Sequence, residues 1–333
     1  MQHGFIKVAA ITPQIRVADP YYNAEKICEK IAEAEEHGAK IMVFPELCLT
    51  GYTCQDLFLQ DTLLSAAEDA LRQIVAASDG IDALIFVGLP YEKDGKLYNV
   101  AAAINCGELM GFVPKRNIPM YGEFYEGRHF TPGNRLPVIV EFDGQEVPFG
   151  TDILFTADAI PGLCVAAELC EDLWVPAPPS IRHAVNGAHI IVNLSASDEM
   201  VGKDSYRRTL ISGQSARLIC GYIYKGFKRK FNAYAACAIT GFSCAFLNTL
   251  LFMSSLILLF GNTEYVQGLI GGQNIFIFVC TFVGINAVAE FIASTVITGA
   301  VGSALVKAKL IPSDKKTGKI PVTDKAKAEN PQI

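Results

Sequence analysis

Between Lys230 and Lys307 the chain carries no basic residue and only two acids, Glu264 and Glu290. A segment so poor in charge has few ways to fold in water. Phe231 to Phe260 and Asn274 to Val306 each exceed the roughly 20 apolar residues that a helix needs to cross a bilayer. The glycine-rich link Gly261 to Gln273 separates them. Two transmembrane helices are therefore expected. Lys225, Lys228, Arg229 and Lys230 precede the first, and Lys307 and Lys309 follow the second. Both basic flanks then fall on one side, which the positive-inside rule makes the cytoplasm. The expected location is the cell membrane, with the preceding domain on its cytoplasmic side. Three parts follow: a domain over 1–224, a transmembrane segment over 225–310 and a polar, lysine-rich, disordered tail over 311–333.

The first two thirds read differently, because apolar spacing there switches repeatedly between the periods of strand and helix. Phe5 to Thr12, Ile41 to Phe44, Ala83 to Gly88, Asp152 to Ala157, Gly162 to Leu169 and Ala188 to Asn193 read as strands. Tyr22 to His37, Leu63 to Ala77, Pro179 to Asn186 and Ser205 to Leu218 read as helices. Tyr98 to Asn105 and Leu109 to Val113, joined by Cys106-Gly107-Glu108, form a hairpin pattern. Such alternation predicts an α/β layer structure. The start, Met1 to Val8, reads as a first strand and not as a signal peptide. A net charge of -6 offers no basic excess for DNA or RNA. The ten cysteines are scattered without CxxC pairs, so neither a zinc site nor a disulfide framework is indicated and a reducing compartment is expected.

Within this pattern, Val165 to Trp174 (VAAELCEDLW) delivers Cys170 to a strand end where the sequence turns acidic. A cysteine attacks as its thiolate, so it needs a base or cation nearby. Glu46, after the apolar run Ile41 to Phe44, and Lys115, after the run ending at Val113, are candidates, each at a strand end. Together with Phe44 to Tyr52 (FPELCLTGY), Lys115 to Gly133 (KRNIPMYGEFYEGRHFTPG) and Asn193 to Lys203 (NLSASDEMVGK), this stretch resembles the nitrilase superfamily. More closely, residues 5 to 224 resemble the glutamine-hydrolysing (CN hydrolase) domain of glutamine-dependent NAD synthetases.

The resemblance implies an α-β-β-α sandwich and a catalytic triad of Glu46, Lys115 and Cys170, acting on glutamine without cofactor or metal. It further implies substrate-site roles for Tyr121, Glu126, Glu171 and Ser197, Glu126 being a second, orienting glutamate. Read as residues alone, Tyr121 and Phe124 could equally be core aromatics and Ser197 a turn residue. Ammonia would pass to an acceptor on a separate synthetase protein, because neither the later strands of the sandwich nor the Ser-Gly-Gly phosphate loop of such synthetases follows residue 224. The sandwich is thus expected to lack its last strands and to expose a sheet edge.

Lys228 to Leu310, with Leu247 to Phe252 (LNTLLF) and Gly284 to Glu290 (GINAVAE), resembles the last two helices of the S component of energy-coupling-factor vitamin transporters. This implies transporter subunits as partners, and the alternative of a membrane protein with an inactive nitrilase-like domain. Glu290 and Asn286 are candidates for contacts between helices or with a ligand. The two resemblances meet near Tyr224 without a linker, as a gene fusion would. A homo-oligomer is also compatible with the sequence.

Overall fold

The computed structural model describes residues 5–157, 160, 162–228, 231–260, 263, 267–268, 271–272 and 274–307. The chain divides into two compact units, Met1–Leu218 and Ile219–Ile333. The tail 311–333 and most of the link Gly261 to Gln273 lie outside the described residues.

The first unit is built on two sheets. Strands β1 (Val8–Ala10), β2 (Ile41–Val43), β3 (Leu84–Lys93), β4 (Lys96–Asn105), β5 (Glu108–Pro114), β6 (Val138–Phe142) and β7 (Gln145–Phe149) form one, in the order β1-β2-β3-β4-β5-β7-β6. Strands β8 (Phe155–Thr156), β9 (Cys164–Leu169) and β10 (Ile190–Leu194) form the other, in the order β10-β9-β8. Strand pairing is parallel for β1-β2, β2-β3, β5-β7 and β9-β10. The hairpins β3-β4, β4-β5 and β6-β7 are antiparallel. Their turns are Asp94-Gly95, Cys106-Gly107 and Asp143-Gly144, every residue at positive φ, the geometry that matches the twist of two-residue hairpins. The sequence pattern indicated the middle one; the other two were not expected.

Side-chain alternation along the strands separates two cores. Ile85, Val87 and Leu89 of β3 and Val100, Ala102 and Ile104 of β4 pack with α1 (Pro20–Glu36) and α2 (Asp61–Ala77), through Ile27, Ile31, Leu71 and Ile74. Phe86, Ala101, Ala103 and Val113 face the opposite way, onto Val165, Ala167 and Leu169 of β9 and Val192 and Leu194 of β10. Helix α3 (Pro179–Asn186) packs on the outer face of β9. Glu168 points to that face and accepts the backbone N–H of Ser180 at 3.1 Å, at the positive N-terminal end of α3. Burial and the neighbouring Asp172 nevertheless push the Glu168 carboxyl up to about 7. The layers are therefore α-β-β-α. Among the described residues the second sheet has three strands against seven in the first, with β10 at its edge.

Helix α4 (Lys203–Lys228) runs from the first unit into the second, which also holds α5 (Ala233–Phe260) and α6 (Ile275–Lys307). Asn232 caps α5, its side-chain oxygen accepting the Ala235 N–H at 2.8 Å. Small residues bring α5 and α6 together, Gly241 against the Ser294 backbone and Gly302 against Cys237. Ser294 Oγ donates across to the Gly241 carbonyl at 2.9 Å. The helices thus lie close to where the two spans were expected. Among the described residues, however, no helix is long and apolar enough to cross a membrane; Thr240, Ser243, Glu290, Ser294, Thr295 and Thr298 dilute the apolar run. Glu290 is exposed on α6, and the Asn286 side chain lies outside the described residues.

Candidate active site

Four chain segments leave the carboxyl ends of β2, β5, β9 and β10 and meet at one place, carrying Glu46, Lys115, Cys170 and Ser195 to Ser197. In parallel sheets this end collects functional loops. The Glu46 loop is pressed onto β3: a Cβ at Gly88 would come within 2.4 Å of the Leu47 nitrogen and 2.5 Å of the Pro45 carbonyl. Only glycine admits that approach.

At the centre, Lys115 Nζ donates to Glu46 Oε1 and to Glu126 Oε1, both at 2.6 Å, with all three side chains buried. Asn99 Nδ2 also donates to Glu46 Oε1, at 2.7 Å, and more weakly to Glu126 Oε2, at 3.4 Å. The Ala196 backbone N–H meets Glu46 Oε2 at 3.0 Å, and Tyr52 Oη donates to Glu126 Oε1 at 2.8 Å. Each carboxylate therefore has several donors, as a buried charge requires. Burial pulls the Lys115 pKa down, but the charges of Glu46 and Glu126 more than offset it and hold the ammonium above its ordinary range. Burial, then the charge of Glu46, raises the Glu126 carboxyl.

Cys170 follows β9 directly and is buried, with its backbone at φ 38°. A side-chain residue in this left-handed region is strained. Burial and the Glu46 charge push its thiol up to about 12, against the opposing pull of Lys115 and a bond from Ser195. Lys115 is already shared by two carboxylates.

Cys170 lines a cavity of about 500 Å³ together with Tyr121, Phe124, Glu171, Ser197 and Lys203. Tyr121 is exposed, not a core aromatic, and its hydroxyl donates to Glu171 Oε2 at 2.7 Å. Glu126 lies instead beside an adjoining cavity of about 480 Å³, which Ser197 also lines. Ser197 is half-buried between the two. Asn99, Tyr52 and the Ala196 N–H were missed in the sequence. Asn99 alone left a signal, an amide inside an apolar strand. Among the described residues no cluster of three His, Cys, Asp or Glu suits a metal.

The carbon-nitrogen hydrolase family model matches residues 7–224. This chain belongs to the carbon-nitrogen hydrolase family. It is a hydrolase of that class. Over 223 residues it is 41% identical to the glutamine-dependent NAD(+) synthetase of Mycobacterium bovis, covering 67% of this chain and 33% of that protein. With the glutamine-dependent NAD(+) synthetase of Aquifex aeolicus it shares 34% over 208 residues, 62% of this chain and 33% of the other. The crystal structure of the glutamine-dependent NAD(+) synthetase from Cytophaga hutchinsonii superposes with a TM-score of 0.57 at 30% identity, over 64% of this chain and 34% of that one. The nitrilase-type α/β fold of the first unit is thereby shared with that synthetase structure. The chain spans about a third of the length of the curated relatives it matches. The matched residues end at 224, so the likeness of residues 228–310 to a transporter S component gains no support.

Proposed function

We propose that the first unit hydrolyses the side-chain amide of glutamine to glutamate and ammonia, with Glu46, Lys115 and Cys170 as catalytic residues. The observation that carries this is the buried Glu46–Lys115–Glu126 centre, whose charges act on Cys170, with Cys170 itself lining a cavity of about 500 Å³. As the Cys170 sulfur attacks the amide carbon, Glu46 takes the thiol proton. An ammonium has three N–H donors; Lys115 spends two on the carboxylates, leaving the third for the developing oxyanion. Collapse breaks the C–N bond, and Glu46 returns its proton to the departing nitrogen, giving ammonia and a thioester. Water then attacks with Glu46 again as base, and the proton ends on sulfur as glutamate leaves. Glu126 holds Lys115 in place.

Glu171 and Lys203 put opposite charges on the same cavity, which suits the ammonium and carboxylate of an amino acid better than a simple amide. Tyr121 fixes Glu171, and Ser197 offers a hydroxyl. The similarity to NAD(+) synthetases supports an ammonia-accepting synthetase protein as partner. Glutamate release by the full chain, and its loss in Cys170→Ala, tests the reading; undiminished hydrolysis by that variant would refute it.

We also propose that residues 225–310 tether the enzyme to the cell membrane, catalytic unit on the cytoplasmic side. The support is the apolar exposed surface of α6, with Val288, Ile292, Val296, Ile297 and Val301 each more than half exposed. Carbonate washing of membranes tests it: a tethered protein stays in the pellet, and release into the wash would contradict the tether.

A further inference from the structure

The Cys170 turn leaves β9 and the Lys115 loop leaves β5, in different sheets, yet one buried carboxylate grips both. Asp172 Oδ2 accepts the N–H of Leu169 and the N–H of Arg116, each at 3.2 Å. Its Oδ1 accepts the Asn117 backbone N–H at 2.8 Å and the Asn117 side-chain amide at 2.7 Å. Asp172 is 1% exposed and reaches no substrate cavity described above.

A carboxylate that merely capped the turn Cys170–Leu173 would need the Leu169 bond alone. Three of the four bonds go instead to residues 116 and 117, immediately after Lys115. The turn also needs an outside hold, because Cys170 sits at φ 38°, a conformation that is strained for a residue with a side chain. We infer that Asp172 is a positioning residue, which sets the spacing of the Cys170 thiol and the Lys115 ammonium by clamping the backbone beside each. The inference rests on the proposed roles of those two residues. Displacing a reacting group by an ångström costs as much as about 100-fold in rate, so the clamp acts on the chemical step and leaves ground-state binding alone.

The test compares the full chain with Asp172→Asn, which keeps size but presents an N–H₂ to N–H donors. Calorimetric titration with glutamate counts the competent sites, so that unfolded protein is not mistaken for slow protein. Expected, per competent site, is a fall in kcat of about 10- to 100-fold with KM for glutamine held within about threefold. If Asp172→Asn gives no competent sites, Asn117→Ala carries the test. It removes one bond of four and should lower kcat by about 3- to 10-fold with KM unchanged. Unchanged kcat per site in the folded variant, or an equal loss in binding, overturns the clamp. p-Nitrophenyl acetate separates this from the substrate assignment, since it acylates Cys170 without a glutamine head group. Wild-type protein acylated at Cys170 but inert to glutamine would sink the substrate; acylation as fast in the variant as in wild type would sink the clamp.

Discussion

Lys115 is fully buried, and both of its carboxylate partners are fixed by further donors. Tyr121, on the rim of the adjacent cavity, is 57% exposed and holds Glu171 through a single bond. The two regions adjoin one another but are built to different tolerances. At the centre Lys115, Glu46 and Glu126 each answer to two or three donors or acceptors, so a single loss leaves a buried charge short of a partner. At the rim water can replace what is lost. On the proposed reading, chemistry is fixed by the scaffold, and substrate preference is left to side chains that can change without unfolding it.

The harshest way to break this comparison is Lys115→Met, which leaves Glu46 and Glu126 facing each other across an apolar side chain. Breaking a buried pair from one side costs about 3–5 kcal/mol; a fall of that size in unfolding free energy by denaturant titration is expected, together with loss of measurable turnover. Glu46→Gln keeps the shape and removes the proposed base. Steady-state kinetics should show kcat down by about 10² to 10⁴ with KM little changed. Tyr121→Phe should do the opposite, raising KM by roughly three- to tenfold, one hydrogen bond's worth, with kcat unaltered. A rim substitution that lowered kcat as far as Glu46→Gln would erase the distinction between the regions. A subtler probe is pH. With its thiol pushed up to about 12, Cys170 gains thiolate steadily as pH rises. Its alkylation by iodoacetamide, followed by peptide mass spectrometry, should keep accelerating from pH 7 to 10; levelling below pH 8 would mean that Lys115, and not burial with the Glu46 charge, governs the sulfur.

What the sequence revealed follows the same division. Glu46, Lys115 and Cys170 stand beside strand ends that apolar runs announce, so their positions were legible before their contacts were. The helices α1, α2 and α3 were legible too, because one amphipathic stripe packs on a sheet. Strand β3 extends to Lys93, past the expected end at Gly88, since that glycine serves the close approach of the Glu46 loop and does not terminate the strand. Hairpin β6-β7 went unread despite its Asp143-Gly144 turn and the apolar run Val138 to Val140, and its strands are half exposed. Asp172 was hidden for another reason, and Asn99 showed only as an amide inside an apolar strand, its contacts hidden too. Apart from Leu169, three residues before Asp172, their partners lie 27 to 56 residues away in the chain, and no local pattern encodes such a meeting.

The central claim, that this buried centre makes and breaks a glutamyl thioester on Cys170, is tested most directly by acid-quenching the full chain during turnover of glutamine and mapping the adduct by mass spectrometry. A glutamyl group on the Cys170 peptide, with ammonia released in step with its formation and neither seen in Cys170→Ala, is the predicted result. Ammonia release with no adduct at Cys170, persisting in Cys170→Ala, would contradict it.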